Sequence, residues 1–173
     1  MSCLYILIDS STKGTKIDNK RTKYGESCAF WCAFWNKPEG MPFRAGFVYS
    51  DYEGTNKIFF DGIIRALEGC YSRVREDCTV KLMGDNNIIM KILRGNWQAY
   101  ELKPFYNQVK KMEEKYRAKE IIYEYMGEKT EIYKKVDECS KYFRNFVKQK
   151  FKKTEKSKKL IKVKGDQEAL VSK

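Results

Sequence analysis

The sequence predicts an α/β domain: a mixed five-stranded sheet, an antiparallel meander followed by parallel strands, with helices on both faces. Three observations predict it. The chain opens with three short apolar runs separated by turn residues. At Thr55 the apolar period lengthens from two residues to three or four. Beyond that point short apolar runs alternate with helical patterns, the order that places parallel strands beside crossover helices.

The first run, LYILI at 4–8, ends in Asp9-Ser10-Ser11 and reads as a strand followed by a turn. The polar stretch to Tyr24 reads as a loop. SCAFWCAFW at 27–35 is apolar on both faces and reads as a central strand; Pro38, Gly40 and Pro42 punctuate it, and 43–49 make a third strand. Phe59, Phe60, Ile63, Ile64, Leu67 and Cys70 recur at helical spacing behind Thr55-Asn56, which reads as a cap. TVKLM at 79–83 is a fourth strand, closed by Gly84-Asp85. Ile88, Ile89, Ile92 and Leu93 mark a short amphipathic helix stopped by Gly95. Pro104 opens a longer one, with Phe105, Val109, Met112 and Tyr116 on its buried face. EIIYEY at 120–125 is the fifth strand. A polar loop from Gly127 leads into a last helix carrying Val136, Cys139, Phe143 and Val147. The expected division is one domain over 1–147 and a lysine-rich extension over 148–173.

A length of 173 residues suits one domain, and 42% hydrophobic residues fill a core. No run approaches the roughly 18 apolar residues of a membrane span, and no export signal is read at the start. The expectation is an intracellular protein (cytoplasm, nucleoid or nucleus), monomeric and without a membrane partner. Lysine and arginine number 35 against 23 acids, a net charge of +12. That excess points to a polyanionic partner, nucleic acid foremost. It is concentrated at the end, where ten lysines from residue 145 onward face only Glu155, Asp166 and Glu168.

Histidine is absent, which excludes Ser-His-Asp and Cys-His nucleophiles and His-ligated zinc. The six cysteines form no CxxC pair; Cys28 and Cys32 share a strand face with Phe30 and Phe34 and read as small buried hydrophobes. Catalysis would rest on carboxylates, hydroxyls, lysines or thiols. Among the carboxylates, Asp9 and Asp85 each follow directly on a strand, and Asp137 lies in the first turns of the last helix. Neighbouring strands would bring these three to one sheet edge, where they repel unless a hard cation lies between them. That is the arrangement of a two-metal phosphoryl-transfer site. Asp9 and Asp85 also read simply as turn formers and Asp137 as a helix-start residue.

Five segments, in order, resemble the type 1 ribonuclease H family over nearly the whole chain to about residue 147. LYILIDSS is similar to its first strand and turn, with Ser10 where glycine is usual. TNKIFFDGIIRALEGC resembles its Thr-Asn helix, and VKLMGDNNIIMKILRGNW its strand–Asp–helix segment. ELKPFYNQVKKMEEKY and YEYMGEKTEIYKKVDECSKYF resemble its later helix and terminal segment. The resemblance implies that Asp9, Asp85 and Asp137 are three of four metal-binding acids. They would hold two Mg²⁺ or Mn²⁺ ions that activate water against the RNA strand of an RNA/DNA hybrid. The family's helix glutamate falls on Phe59 or Phe60, so Asp61 is the candidate fourth ligand, with Asp51 and Glu53 as weaker ones. Asp61 also reads as a solvated helix acid paired with Arg65. Glu128 stands where many members carry a mobile histidine, and reads either as a proton shuttle or as a plain loop acid.

Thr55, Asn56 and Asn86, beside the acids, are candidates for contacts to phosphate or sugar. Trp97 with Lys91 and Arg94 resembles the family's basic and aromatic handle on the DNA strand; Trp97 also reads as a partly buried helix-end aromatic. The tail lysines would add sequence-independent affinity. The competing expectation is a degenerate module of the same fold that binds nucleic acid or a protein without cutting, favoured by the Phe59-Phe60 pair. A nuclease of this fold acting on DNA is a third.

Overall fold

The structure is a computed structural model that describes residues 2–12, 16–17, 20–21, 27–50, 55–143 and 145. The strands are β1 (Cys3–Thr12), β2 (Lys16–Ile17), β3 (Lys20–Arg21), β4 (Ser27–Trp35), β5 (Arg44–Ser50), β6 (Thr79–Gly84) and β7 (Glu120–Tyr125). The helices are α1 (Thr55–Cys70), α2 (Asn87–Leu93), α3 (Lys103–Lys115) and α4, described over 131–143. The chain divides into two compact units, Met1–Cys139 and Ser140–Lys173. The first holds the sheet and every residue discussed below. Val147, the extension over 148–173, Asp51 and Glu53 lie outside the described residues.

The main sheet runs β5-β4-β1-β6-β7. β1, β4 and β5 pair antiparallel as a meander, and β6 and β7 add parallel to β1. The mixed five-stranded expectation therefore holds. β4, apolar on both faces, is an inner strand as read. β1 extends further than its sequence suggests: its antiparallel pairing with β4 continues through Asp9↔Phe30 to Thr12↔Ser27. Asp9 thus stands within a strand, not after it, because β4 supplies backbone partners beyond the last apolar residue. The expected loop to Tyr24 contains the small β2–β3 ribbon.

One sheet face presents Leu4, Ile6, Ile8, Trp31 and Ala33 to α1, whose Phe59, Phe60, Ile63, Ile64 and Leu67 are all buried there. Two glycines let α1 approach closely: Gly62 lies against Ala29 and Gly69 under the Trp31 indole. The opposite face carries Leu7, Phe30 and Cys32, all fully buried. Cys139 of α4 is buried as well, and it acts on Cys32 of that face. α3 packs on α1; Phe105 stacks on Phe60, and the Tyr116 hydroxyl donates to the Leu67 carbonyl.

Gly84 ends β6 against the Phe59 ring, which occupies the space a Cβ would need. Gly84→Ala should therefore destabilise the chain by roughly 2 kcal/mol in urea unfolding, since overpacking forces ring or strand to move. Gly127→Ala, whose added carbon meets only ordinary contacts at 3.8 Å, serves as the control and should change little.

Candidate active site

The parallel ladder between β1 and β6 ends at Ile8↔Gly84. The next residue on each strand is an aspartate, so Asp9 and Asp85 leave the same sheet edge side by side. The backbone holds both. Asp9 is fixed by its pairing with Phe30, and the Gly84 carbonyl accepts the Met126 N–H at 2.7 Å. Asn86 accepts the Ile89 N–H at 3.2 Å and so caps α2, while its Nδ2 donates to Asn56 Oδ1 at 2.8 Å. One side chain thereby ties the start of α2 to the start of α1 immediately beside Asp85.

Burial pushes the Asp85 carboxyl up to about 7, and the charge of Asp9 and its hydrogen bond to Asp85 push the same way. Glu128 adds to the rise, and the Asp85 backbone opposes it. A hydrogen bond between two carboxyl groups requires a shared proton. The other oxygen, Asp85 Oδ1, is buried with no hydrogen-bond partner among the described residues. Such an atom is costly to leave unsatisfied.

Gly127–Thr130 forms the turn into α4. The Thr130 hydroxyl donates to the Gly127 carbonyl at 2.7 Å and accepts the Tyr133 N–H at 3.2 Å. Tyr133 and Asp137 are four residues apart on α4 and share a face. Partial burial raises the Tyr133 phenol above its usual range, and the charges of Asp9, Asp85, Asp137 and Glu128 raise it further. The charges of Asp9, Asp85, Glu128 and Asp137 thus all bear on one hydroxyl. Tyr133 was not picked out in the sequence, although its spacing from Asp137 was the available signal.

Asp61, the candidate fourth ligand, lies on α1. Phe59 and Phe60 are fully buried, so the α1 positions aligned with a helix acid belong to the core. Asp61 is half-buried on α1 and is not among the charges that bear on Asp85 or Tyr133. Its suggested partner Arg65 pairs instead with Glu68 at 3.3 Å. Among the described residues no group of three or more acids or cysteines is drawn together tightly enough to hold a metal ion.

Beside the acids, Thr55, Asn56, Ile88, Trp97 and Tyr100 line an open cleft of about 1010 Å³. Trp97 and Tyr100 are exposed, and the Lys91 ammonium lies 4.6 Å from the centre of the Trp97 ring. Tyr100 holds a left-handed backbone (φ 43°) that turns the chain into α3. Arg94, grouped with Lys91 and Trp97 in the sequence, lines a different cleft with Lys110, Glu113 and Tyr123, and its Nε donates to the Met90 carbonyl.

No family model matches the sequence, and no curated protein is similar to it. Solved structures are. Ribonuclease H1 of the halophilic archaeon Halobacterium salinarum is 15% identical, with a TM-score of 0.58 over 79% of this chain and 93% of its own. The N-terminal ribonuclease H domain of a Mycobacterium tuberculosis protein is 12% identical, with a TM-score of 0.61 over 85% of this chain and 99% of that one. A compost-derived ribonuclease H1, LC11, solved with an RNA/DNA hybrid, is 15% identical, with a TM-score of 0.59 over 79% and 92%. With its five-strand order, its parallel pair ending in two aspartates and its helices on both faces, this chain has the ribonuclease H fold.

Proposed function

We propose that the protein is a metal-dependent endonuclease that cleaves the RNA strand of RNA/DNA hybrids by two-metal-ion hydrolysis. The observation that carries this reading is the Asp9–Asp85 pair, whose Asp85 keeps one buried oxygen without a partner and is pushed toward neutrality. Hard oxygen donors of this kind fit Mg²⁺ or Mn²⁺. Asp9 and Asp85 would hold the ions with Asp137; bound there, they supply an activated water and charge neutralisation at the phosphate. Asn56 and Asn86 would keep Asp85 aimed and present amides to phosphate or sugar. Trp97, backed by Lys91, offers a stacking face for the DNA strand. A divergent ribonuclease H fold and a net charge of +12 support a nucleic-acid substrate. The second reading, a module that binds without cutting, is favoured by one observation: Phe59 and Phe60 take core positions where the resemblance calls for an acid.

An end-labelled RNA/DNA hybrid with Mg²⁺ or Mn²⁺ tests the proposal. Cutting of the RNA strand alone, reduced at least about 100-fold by Asp85→Asn, is the expected result. Asp61→Asn should stay within about twofold of the unchanged chain. Binding without cleavage in either metal would establish the second reading, and cutting of duplex DNA would move the substrate class.

The Asp85 carboxyl also sets a pH dependence. Its folded value, about 7, lies above the ordinary carboxylate range near 4. In chelator, the stability tied to its proton is fully present below about pH 4 and is lost as pH rises through about 7. Asp85→Asn should therefore melt a few degrees higher than the unchanged chain at pH 7.5 without divalent ions. Added Mg²⁺ should stabilise the unchanged chain and leave the variant nearly unmoved, in thermal melts at matched ionic strength. Cation affinity should weaken by up to about tenfold per pH unit below 7, one proton being displaced.

A further inference from the structure

The two edges of the main sheet are built differently. β7 closes one edge and carries two acids: Glu120, which accepts from the Thr79 hydroxyl, and Glu124, which pairs with Lys81 at 3.3 Å. Charged side chains of this kind guard an edge strand against further pairing. β5 closes the other edge with the sequence RAGFVYS, and no described strand pairs beyond it. It holds neither proline nor any charge after Arg44, and the Arg44 guanidinium donates back to the Gly69 carbonyl of α1. β5 therefore offers the unguarded backbone N–H and C=O groups of a seven-residue strand.

Beside this edge lies an open groove of about 570 Å³ between β5 and α1, lined by Trp31, Gly46, Val48, Arg65, Glu68 and Gly69. The Trp31 indole is left uncovered because two glycines face it: a Cβ would fall 2.7 Å from the ring at Gly46 and 2.6 Å at Gly69. Arg65 and Glu68 stand on the α1 side, 3.3 Å apart, with 61% and 47% of their side chains exposed.

We propose that this edge is the interface of a homodimer, in which β5 pairs antiparallel with β5 of a second copy across a two-fold axis perpendicular to the sheet. The occupant follows from two complementarities. An antiparallel edge strand is its own partner under a two-fold axis. A base and an acid side by side on the neighbouring helix are self-complementary too: the same axis sets Arg65 opposite Glu68 of the partner subunit, and Glu68 opposite Arg65 of the partner subunit. The spacing admits both. α1 packs on β1, β4 and β5, so it runs near β4, the middle one of the three. Three strand spacings of about 4.8 Å would separate β4 from its symmetry mate and hold the two α1 helices about 14 Å apart. That is wider than the roughly 8–10 Å of direct helix packing, and side chains as long as arginine and glutamate span it. The groove over Trp31 gives them room. Asp9 and Asp85 stay open in such a pair, since β4 lies between β1 and the joined edge. The inference therefore stands independently of the nuclease reading.

The test follows the full chain by light scattering and sedimentation over about 1–500 µM. Salt is set at about 0.15 M, where a Debye length of about 8 Å screens the +12 on each copy. The expected result is a reversible monomer–dimer equilibrium. Amide hydrogens over 44–50 should exchange more slowly as the chain is concentrated, while those over 120–125 stay unchanged. Arg65→Glu and Glu68→Arg should each raise the dimer Kd at least about tenfold, since every substitution counts twice across the axis. The double variant should return it to within about threefold of the unchanged chain. Melting curves check that these exposed substitutions leave the fold intact. A chain that stays monomeric throughout, the state expected from the sequence, overturns the proposal. So does association into larger species, a dimer that leaves exchange over 44–50 unaltered, or one that both single variants leave intact.

Discussion

The structure depends on where one ladder stops. β1 and β6 lie side by side and parallel, and their pairing ends in step at Ile8 and Gly84. Because the chains run the same way, the next residue of each leaves the sheet at the same edge. Two aspartates there cannot be relaxed by turning aside, since Asp9 stays in register with β4 and Asp85 is bracketed by Gly84 and the Asn86 cap. Two partly desolvated like charges held together raise each other's proton affinity. The alternatives open to the pair are a shared proton or a cation, and the buried Asp85 Oδ1 is an acceptor that a cation would use.

The underside of that edge is equally constrained. Phe59 fills the space at Gly84, and Phe60 stacks on Phe105 to join α1 to α3. A carboxylate at either position would be buried among apolar side chains at a cost of several kcal/mol. The negative charge comes instead from the other side, where the Gly127–Thr130 turn presents Glu128 and α4 carries Asp137, both acting on Tyr133. Among the described residues, the acids that act on Tyr133 come from β1, the end of β6, the Gly127 turn and α4.

The fold was largely legible in the sequence because its elements are written in apolar period and turn residues, which are local. β4 and β7 read with the bounds the structure gives them, and the change of period at Thr55 marks α1. Asp9 and Asp85 were legible for a related reason: a carboxylate at the end of an apolar strand has few places to go. The overrun of β1 was not, because residues 9–12 are strand through pairing with β4, not through their own preference. Tyr133 was hidden as an ordinary amphipathic-helix aromatic until β1, β6 and the Gly127 turn converged on it. Arg94 was grouped with Lys91 and Trp97 by closeness in sequence, but as the residue that caps the end of α2 it donates its Nε to the Met90 carbonyl and lines another cleft.

The charge of the chain and the charge of the site have opposite signs, and that opposition bears on function. A net charge of +12 attracts a polyanion once it comes within about a Debye length, roughly 8–10 Å, of the surface. Within that length an approaching phosphate meets Asp9, Asp85, Asp137 and Glu128, which repel it. A surface that attracts nucleic acid at long range and rejects phosphate at contact is self-defeating unless the contact is reversed in sign. In the proposed reading, divalent cations held by the carboxylates would reverse it, and the unpartnered Asp85 oxygen is one acceptor they would use. Ions that made the acids tolerable to one another would also make the site tolerable to a phosphate. That is why the carboxylate pair, more than the basic surface, carries the reading of this protein as a nuclease.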